Sequence, residues 1–338
     1  MKPTMSVLML LVTGLFSLVS AADATECIAR GEYFGQVVSE TPSIFAPGIA
    51  STEHHDDFAP AFSPDGRQVI LRILGKVGDQ TVGVFFASRM GDDGCWSAPE
   101  PLPFSGETMD GAMSFSPDGS RLFFTSRRPV DGDEAGETRS RVWYSDRDGD
   151  SWSDPEPLDS PINQFNINGG ASIAWDGTLF VAAELPGGMG RHDIYVLQPI
   201  DGRYPGFMPI RGQVNTQDHE VAPYVDPEQR YLLYTIRGPE AATVVISTRE
   251  NDGSWSMGKA IPALSGYEAK FGAISPDESV MFFVTHQQRG GSNPTALWPL
   301  DLFDGPALDS NADIYWLSAD QILAVVHGAG SGNESGAK

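Results

Sequence analysis

The sequence predicts an all-β fold, a β-propeller of five four-stranded blades, and three observations lead to this prediction. A short phrase, Phe-Ser-Pro-Asp-Gly at 62–66 and 115–119, returns in altered form at 173–177, 224–228 and 274–278. Short runs of aromatic and β-branched residues follow each phrase, as strands do. A self-similar pattern spaced 50 to 58 residues apart is typical of propellers.

Each phrase predicts the hairpin between the first and second strands of a blade. Pro64 presets φ at the first corner of a turn, Asp65 bonds its own backbone, and Gly66 accepts positive φ. The apolar run after each turn is then the second strand, and a later apolar run is the third. The second-strand runs are 69–71, 122–124, 179–181, 231–234 and 281–284, and the third-strand runs are 84–86, 142–144, 194–196, 244–246 and 314–316.

A second hairpin signal, Asp-Gly, follows the third strand in four of the units and predicts a turn to a fourth, outermost strand. An aromatic residue comes shortly after each pair, and Pro-containing segments such as 97–102 and 153–158 supply the fourth strand. Proline is tolerated there because an outermost strand has a free edge. The Asp-Gly pairs begin at Asp93, Asp148, Asp201 and Asp252.

The fifth unit ends after its third strand, and the segment before the first unit supplies what is missing. Residues 41–48 have the Pro-rich character of the other fourth strands and stand at the same place before Phe62. We expect this N-terminal strand to complete the last blade, because joining the chain ends removes exposed sheet edges. A sixth blade built from residues 26–59 is the alternative, although that stretch lacks two convincing strands of its own.

The first 22 residues have the pattern of a cleavable secretory signal peptide. Lys2 provides a positive start, an apolar stretch follows, and Val19-Ser20-Ala21 is a small-residue cleavage site. The apolar stretch is too short to span a membrane, and no later segment is suited to it. We expect a periplasmic or secreted protein without membrane insertion after cleavage. Its expected parts are the signal peptide at 1–22, one propeller domain at 23–327 and a disordered tail at 328–338.

The net charge limits the classes of possible partner, and the two cysteines raise the question of a disulfide. The chain has 45 acidic and 22 basic residues and a formal net charge of −23. This argues against nucleic acid, whose phosphates need Lys and Arg, and against anionic membranes, whereas it permits cationic partners or metal ions. Export makes a disulfide between Cys27 and Cys95 chemically allowed. Two free thiols are the alternative, because sequence alone does not fix connectivity.

The repeated Ser-Pro-Asp-Gly before an aromatic strand, with Asp-Gly hairpins followed by Trp-Ser, resembles the TolB-like, WD-repeat-like β-propellers of bacterial envelopes. The resemblance covers about residues 42–316 and is best in the first two units. It implies export and a binding surface. It implies no particular catalytic residue, since the broad family includes periplasmic scaffold proteins, accessory domains of peptidases and some polysaccharide-acting enzymes.

A polar residue stands just before each predicted innermost strand, and so near one mouth of the central channel. Four carboxylates and an amide there could hold a divalent cation such as Ca²⁺, which takes several oxygen ligands, or receive a cationic or sugar ligand. The alternative is that each side chain caps a loop or binds a neighbouring backbone N–H. These residues are Asp57, Asp110, Asn168, Glu220 and Glu268.

Histidines and arginines near the same mouth are further candidates. His54 and His55 belong to the densest group of possible metal ligands, but adjacent strand residues point to opposite faces, so both could not easily serve one ion. His219 stands at the corresponding place in the fourth unit, and a solvated loop position is the alternative for all three. Arg127 and Arg237 follow second strands and could bind carboxylated sugars bidentately or pair with surface acids.

Two functions of different classes remain open at this point. The preferred hypothesis is an exported, non-catalytic propeller that binds an envelope or extracellular protein, peptide or glycan on one face, because the chain has neither an HExxH motif nor a Gly-x-Ser-x-Gly elbow. The alternative is a hydrolase or lyase acting on an acidic polysaccharide through channel-mouth carboxylates and a divalent metal. We expect the seven tryptophans mostly to pack within the blades.

Overall fold

Five small antiparallel sheets form a five-bladed β-propeller around one channel. The computed structural model describes residues 27–329 except 53–55, 131, 133–138, 240, 287–294, 298, 301, 304 and 307–311. In each blade the first strand lines the channel and pairs with the second, which pairs with the third.

The strands follow in chain order, with β1 (Cys27–Arg30) and β2 (Ser43–Ile44) ahead of blade one. Blades one and two contain β3 (Asp56–Phe62), β4 (Gln68–Val77), β5 (Gln80–Arg89), β6 (Cys95–Ser97), β7 (Glu100–Pro101), β8 (Asp110–Phe115), β9 (Arg121–Ser126), β10 (Arg141–Asp148), β11 (Ser151–Trp152) and β12 (Glu156–Pro157). Blades three and four contain β13 (Asn166–Ile173), β14 (Leu179–Glu184), β15 (Asp193–Leu197), β16 (Met208–Pro209), β17 (His219–Val225), β18 (Tyr231–Arg237), β19 (Ala242–Thr248) and β20 (Lys259–Ala260). Blade five contains β21 (Lys270–Ile274), β22 (Val280–Thr285) and β24 (Asp313–Ser318), and β23 (Gly305–Pro306) reaches across to pair with β4 of blade one.

The repeated phrase forms the turn between the first two strands of each blade, as expected. In blade one, Ser63 Oγ donates to Asp65 Oδ1 at 2.5 Å, and Gly66 has a φ of +68°. The turn therefore satisfies its own polar groups, which explains why the phrase can recur in different blades. The same serine-to-aspartate bond joins Ser116 to Asp118 and Ser275 to Asp277, both at 2.6 Å.

A β-bulge interrupts the innermost strand of every blade, which the sequence analysis did not anticipate. In blade three the bulge contains Gly169 and Gly170, with φ of +85° and +93°. A Cβ on Gly169 would lie 2.6 Å from the backbone N of Ala222 in blade four. At this level a cavity of about 60 Å³ is lined by the innermost strands of all five blades. The register shifts lie at 58–61, 110–113, 167–171, 221–224 and 270–273.

The N-terminal strand completes the last blade, which confirms five blades over the six-bladed alternative. Strand β2 pairs with β24 through Ser43 opposite Trp316. Just beyond β2, the fully buried Phe45 packs with ring centroids 4.9 Å from Phe282 and 5.1 Å from Trp316. Closure therefore combines strand pairing with an aromatic core between the first and last blades.

A disulfide anchors the segment that precedes β2. Cys27 and Cys95 are joined, with their Cα atoms 5.5 Å apart. Strand β1 pairs with β6 beside this bond, and Trp96 Nε1 donates to Gly31 O at 2.7 Å. The N-terminal segment is thereby tied to the outer hairpin of blade one as well as to blade five.

Three 3₁₀ turns and one α-helix complete the described part of the chain. The α-helix, α1 (Asp320–Ala329), follows β24 and buries Ile322 and Leu323 against blade five. It was not expected from the sequence, and its last two residues fall within the segment whose composition predicts disorder, while residues 330–338 lie outside the described residues. No helix in the described ranges is long and apolar enough to cross a bilayer. The 3₁₀ turns are Glu32–Gly35, Pro161–Gln164 and Pro262–Leu264.

Candidate functional site

A cavity of about 510 Å³ opens at the end of the channel where the five repeated turns meet, which we call the turn-side mouth. The residue at one fixed position of each turn lines it. The rest of the wall comes mainly from the ends of the innermost strands, including Met113, Ile173 and Ile274. Mostly apolar walls with a few polar groups are typical of binding cavities. The five turn residues are Pro64, Pro117, Trp175, Pro227 and Pro276.

Trp175 is the exception in this ring, because it is 59% exposed, whereas the other tryptophans that the structure describes are buried. Its backbone N donates to Pro227 O at 2.8 Å, which joins the turns of blades three and four. The expectation that tryptophans serve packing is therefore wrong for this residue. The altered third repeat, where Trp replaces Pro, was the available sequence signal.

The rim of the turn-side mouth is acidic. Arg230 contacts three carboxylates, with Nη2 at 2.7 Å from Asp226 Oδ1, Nε at 3.1 Å from Glu228 Oε2, and a further contact to Glu278. Because one arginine faces four acids, the rim favours cationic groups over anionic ones. The acids lining the cavity are Asp226, Glu228, Asp277 and Glu278.

The opposite end of the channel, where innermost strands begin and second strands end, is the loop-side mouth, and Asp110 lies there fully buried. Its carboxylate receives hydrogen bonds from Ser105 Oγ at 2.7 Å and Ser126 Oγ at 2.8 Å, and Arg128 Nη1 lies 2.8 Å away. Burial raises the pKa of Asp110, although Arg128 opposes the shift. These contacts match the loop-capping alternative. Arg127, the sequence candidate next to Arg128, is exposed.

Glu220 is fully buried at the corresponding place in blade four. Its Oε1 accepts from Thr216 Oγ1 at 2.5 Å, and its Oε2 accepts from Thr216 N at 3.1 Å. Burial raises the pKa of the Glu220 carboxyl, and the neighbouring carboxylates Asp193 and Asp218 raise it further. Like Asp110, Glu220 is bonded within its own blade.

Histidines from blades three and four meet beside Glu220. The rings of His192 and His219 have centroids 5.7 Å apart, and Glu220 N donates to His192 O at 3.0 Å. Asn168 Nδ2 lies 3.5 Å from His192 Nε2. His219 is paired in register with Arg237, the last residue of β18. The structure thus brings three sequence candidates, Asn168, His219 and Arg237, together around His192.

A glycine-rich loop positions His192. The carboxylate of Asp193 accepts hydrogen bonds from Met189 N at 2.9 Å and Gly190 N at 3.2 Å, which closes the loop over it. A Cβ on Gly188 would overlap the Asp193 carboxylate, and one on Gly190 would overlap Asp218 O. The loop packs this closely only because these positions have no side chain.

Asparagines that the sequence analysis did not single out hold the connections to the innermost strands. Asn163 Oδ1 accepts from Val142 N at 2.8 Å, and its Nδ2 donates to Val142 O at 2.9 Å. Asn215 makes the same pair of bonds to Ile194 at 2.8 and 3.0 Å. Each asparagine stands five residues before a candidate, Asn168 or Glu220, so the repeated spacing was a signal in the sequence.

The remaining sequence candidates are not gathered at one point. Glu268 is exposed, and the register of the innermost strands places the buried Ala269, not Glu268, at the position of Asp110 and Glu220. His54, His55 and the side chain of Asp57 lie outside the described residues. In the described part of the chain, no group of three or more His, Cys, Asp or Glu residues is arranged to hold a metal ion.

Of the comparisons with known proteins, only the one with solved structures finds similar proteins. No family model matches, and no curated protein matches. A protein assigned as TolB from Agrobacterium tumefaciens is 15% identical, covers 78% of this chain and 90% of its own, and has a TM-score of 0.47. An α-L-arabinofuranosidase from Lactobacillus brevis is 13% identical over 78% of this chain and 94% of its own, with a TM-score of 0.47. An α-L-arabinofuranosidase from Podospora anserina is 11% identical over 83% and 94%, with a TM-score of 0.40. Likeness at this level identifies neither a family nor an activity.

Proposed function

We propose that this chain is an exported, non-catalytic β-propeller of the TolB-like kind that binds a segment of an envelope or extracellular protein at its turn-side mouth. The observation that carries the proposal is the cavity of about 510 Å³ ringed by four prolines and the exposed Trp175. Tryptophan is enriched among the residues that dominate binding energy at protein interfaces. A protein segment inserting an apolar side chain there removes Trp175 from water.

The charges on the rim of the turn-side mouth favour one kind of protein segment as the ligand. Asp226, Glu228, Asp277 and Glu278 outnumber Arg230 around the cavity, and the whole chain has a net charge of −23. Such a field accelerates encounter with positively charged segments and disfavours acidic ones. The expected ligand therefore combines an apolar anchor with flanking Lys or Arg.

Export is supported by the signal-peptide pattern of residues 1–22 and by the disulfide between Cys27 and Cys95, since disulfides persist mainly in oxidising compartments. The mature protein would be a single propeller over 23–327 with a tail at 328–338. Mass spectrometry of protein recovered from the periplasm or medium should give a chain that begins near Asp23. A chain retaining residues 1–22 in the cytoplasm would contradict export.

The binding proposal is tested by selecting phage-displayed peptides on wild-type protein and on Trp175→Ala. Wild type should enrich peptides with an aromatic or aliphatic anchor beside basic residues, and Trp175→Ala should weaken their binding about 30-fold or more, as truncated interface hot spots do. Met257→Ala removes another exposed apolar side chain, 61% exposed and outside the cavity, and should bind like wild type. Equal binding by Trp175→Ala and wild type would refute the proposal.

The alternative, a polysaccharide hydrolase or lyase, has less support. The described carboxylates that it would use, Asp110 and Glu220, are fully buried and hydrogen-bonded within their own blades. It predicts turnover of an acidic polysaccharide that Glu220→Gln abolishes. Such turnover would displace the binding proposal as the main function.

A further inference from the structure

Among the described residues, Arg237 is the one arginine with a buried side-chain nitrogen that has no hydrogen-bond partner. It is half-buried at the loop-side mouth, its Nε has no hydrogen-bond partner, and no ion pair to it occurs among the described residues. Burial alone lowers the pKa of Arg237. An uncompensated, partly buried guanidinium is costly in a folded protein, so its retention calls for an explanation.

His192 shows the same incomplete bonding a short distance away. Its side chain is only 4% exposed, yet its buried Nδ1 has no hydrogen-bond partner. Burial lowers the pKa of His192, while nearby Arg191, His219 and Arg237 lower it further and Glu184 opposes them. Arg237 Nε and His192 Nδ1, which both lack a hydrogen-bond partner, thus belong to the two residues beside His219. His219 pairs in register with Arg237.

The acids around this group are already engaged. Glu184 Oε2 lies 3.5 Å from Arg191 Nε and 3.9 Å from His192 Nε2. Asp193 is bound by the glycine-rich loop and Glu220 by Thr216. In the described part of the chain no ion pair joins these carboxylates to Arg237, which leaves its guanidinium open to an anion from outside the chain.

We propose that His192, His219 and Arg237 form a binding site for the carboxylate of a uronic acid, a carboxylated sugar, at the loop-side mouth. A guanidinium matches a planar carboxylate through two parallel hydrogen bonds. Asn168 beside His192, and the exposed Glu184, supply a donor amide and an acceptor for sugar hydroxyls. The nearby carboxylates Glu184, Asp193 and Glu220 repel a doubly charged anion, which favours a carboxylate over a phosphate.

This site lies at the opposite end of the channel from the turn-side mouth, so it goes beyond the protein-binding function proposed above. Both sites could be occupied together, which would connect a protein partner to an acidic glycan. Failure of one site leaves the other unaffected.

The test is titration calorimetry with glucuronate and galacturonate, compared with glucose, inorganic phosphate and a short peptide with a free C-terminal carboxylate. We expect binding of at least one uronate, no binding of glucose, and weaker binding of phosphate and peptide. Preference for phosphate or for the peptide, or no binding of either uronate, would overturn the proposal.

Arg237→Gln separates a binding role from a structural one. It should weaken uronate binding by about tenfold or more, as loss of a charge-assisted hydrogen bond does, while leaving the melting temperature unchanged or raised, because it removes an uncompensated charge. Arg203→Gln changes an exposed arginine in the outer hairpin of blade three and should bind as wild type does. His219→Gln should weaken uronate binding. Uronate binding that persists in Arg237→Gln would disprove the assignment.

Discussion

At the scale of single residues, backbone conformation and burial decide what a polar or small side chain does in this propeller. The carboxylates Asp110 and Glu220 lie at the start of the innermost strands β8 and β17, not before them as the sequence analysis expected, and each is buried and bonded within its own blade. Trp175 occupies a turn position filled by proline in four blades and is exposed at the mouth instead. The same repeat position can therefore be structural in one blade and available for binding in another.

Gly169→Ala should destabilise the fold strongly. Its φ is +85°, and a Cβ would lie 2.6 Å from the backbone N of Ala222, so strain and a clash between blades three and four act together. We expect a loss of about 2–3 kcal/mol in the free energy of unfolding, measured by denaturant titration. The matched control is Gly202→Ala, where φ is +74° but nothing lies within 4 Å of the Cβ, and about 1 kcal/mol is expected. Equal losses would show that blades three and four have room to separate.

Glu220→Gln should alter how stability depends on pH. Burial raises the pKa of Glu220, so the folded state holds its proton more tightly than the unfolded state. The favourable contribution of the protonated Glu220 carboxyl to stability is then fully present below the pKa of the unfolded state. It is lost as pH rises through the pKa of the folded state. Removing the charge should therefore raise the melting temperature near pH 8 and have less effect near pH 4. Glu100→Gln, at an exposed position, should leave the melting temperature unchanged at both pH values. A lower melting temperature for Glu220→Gln at high pH would contradict this reasoning.

At the scale of elements, the strands follow from local sequence, whereas their closure depends on distant segments. Blades one to four each have a turn phrase, an Asp-Gly hairpin and a short outermost strand that ends in proline or alanine. Blade five alone takes its outermost strand, β2, from the other end of the chain. The segment leading to it is held by the disulfide between Cys27 and Cys95 and by pairing of β1 with β6.

Replacing both Cys27 and Cys95 with Ser should reduce the free energy of unfolding. The bond closes a loop across a sequence separation of 68 residues, and cross-links of this kind typically contribute about 2–4 kcal/mol by restricting the unfolded chain. Thermal melts with and without a thiol reductant provide the measurement. The reductant should lower the melting temperature of wild type to that of the double variant and leave the variant unchanged. A wild type insensitive to full reduction would show that β1 pairing holds the segment without the bond.

At the scale of the whole molecule, charge is the dominant feature outside the core. With 45 acidic and 22 basic residues, the folded chain concentrates like charges, and the turn-side rim adds to this field. Acidic self-repulsion opposes compaction while it favours solubility and encounter with cationic partners.

Salt should therefore stabilise this propeller at neutral pH. Raising the ionic strength shortens the Debye length and screens repulsion between surface carboxylates more than it weakens the buried pair between Asp110 and Arg128. The melting temperature should increase with sodium chloride at pH 7. Near pH 4, where many carboxylates are protonated, the increase should be smaller. A decrease with salt at pH 7 would mean that surface ion pairs outweigh the net repulsion.

The sequence by itself determined the number of blades, the order of strands and the closure of blade five. These follow from interactions close in the chain, since turn residues such as Pro64 and Gly66 and the alternation of apolar runs act locally. It also predicted that Asp110, Asn168, Glu220 and Arg237 lie near one mouth, because the first three stand shortly before a repeated turn and Arg237 follows a second strand.

Only the tertiary structure decided which of those residues are bonded within the protein and which have a side-chain group without a bonding partner. Arg128 neutralises Asp110, whereas Arg237 has no acid partner among the described residues, although both arginines follow second strands in the sequence. The bulges of the innermost strands and the cavity around Trp175 likewise arise where five blades meet. The surroundings of Trp175 depend on contacts between blades, such as the hydrogen bond from Trp175 N to Pro227 O, and no local pattern encodes those contacts.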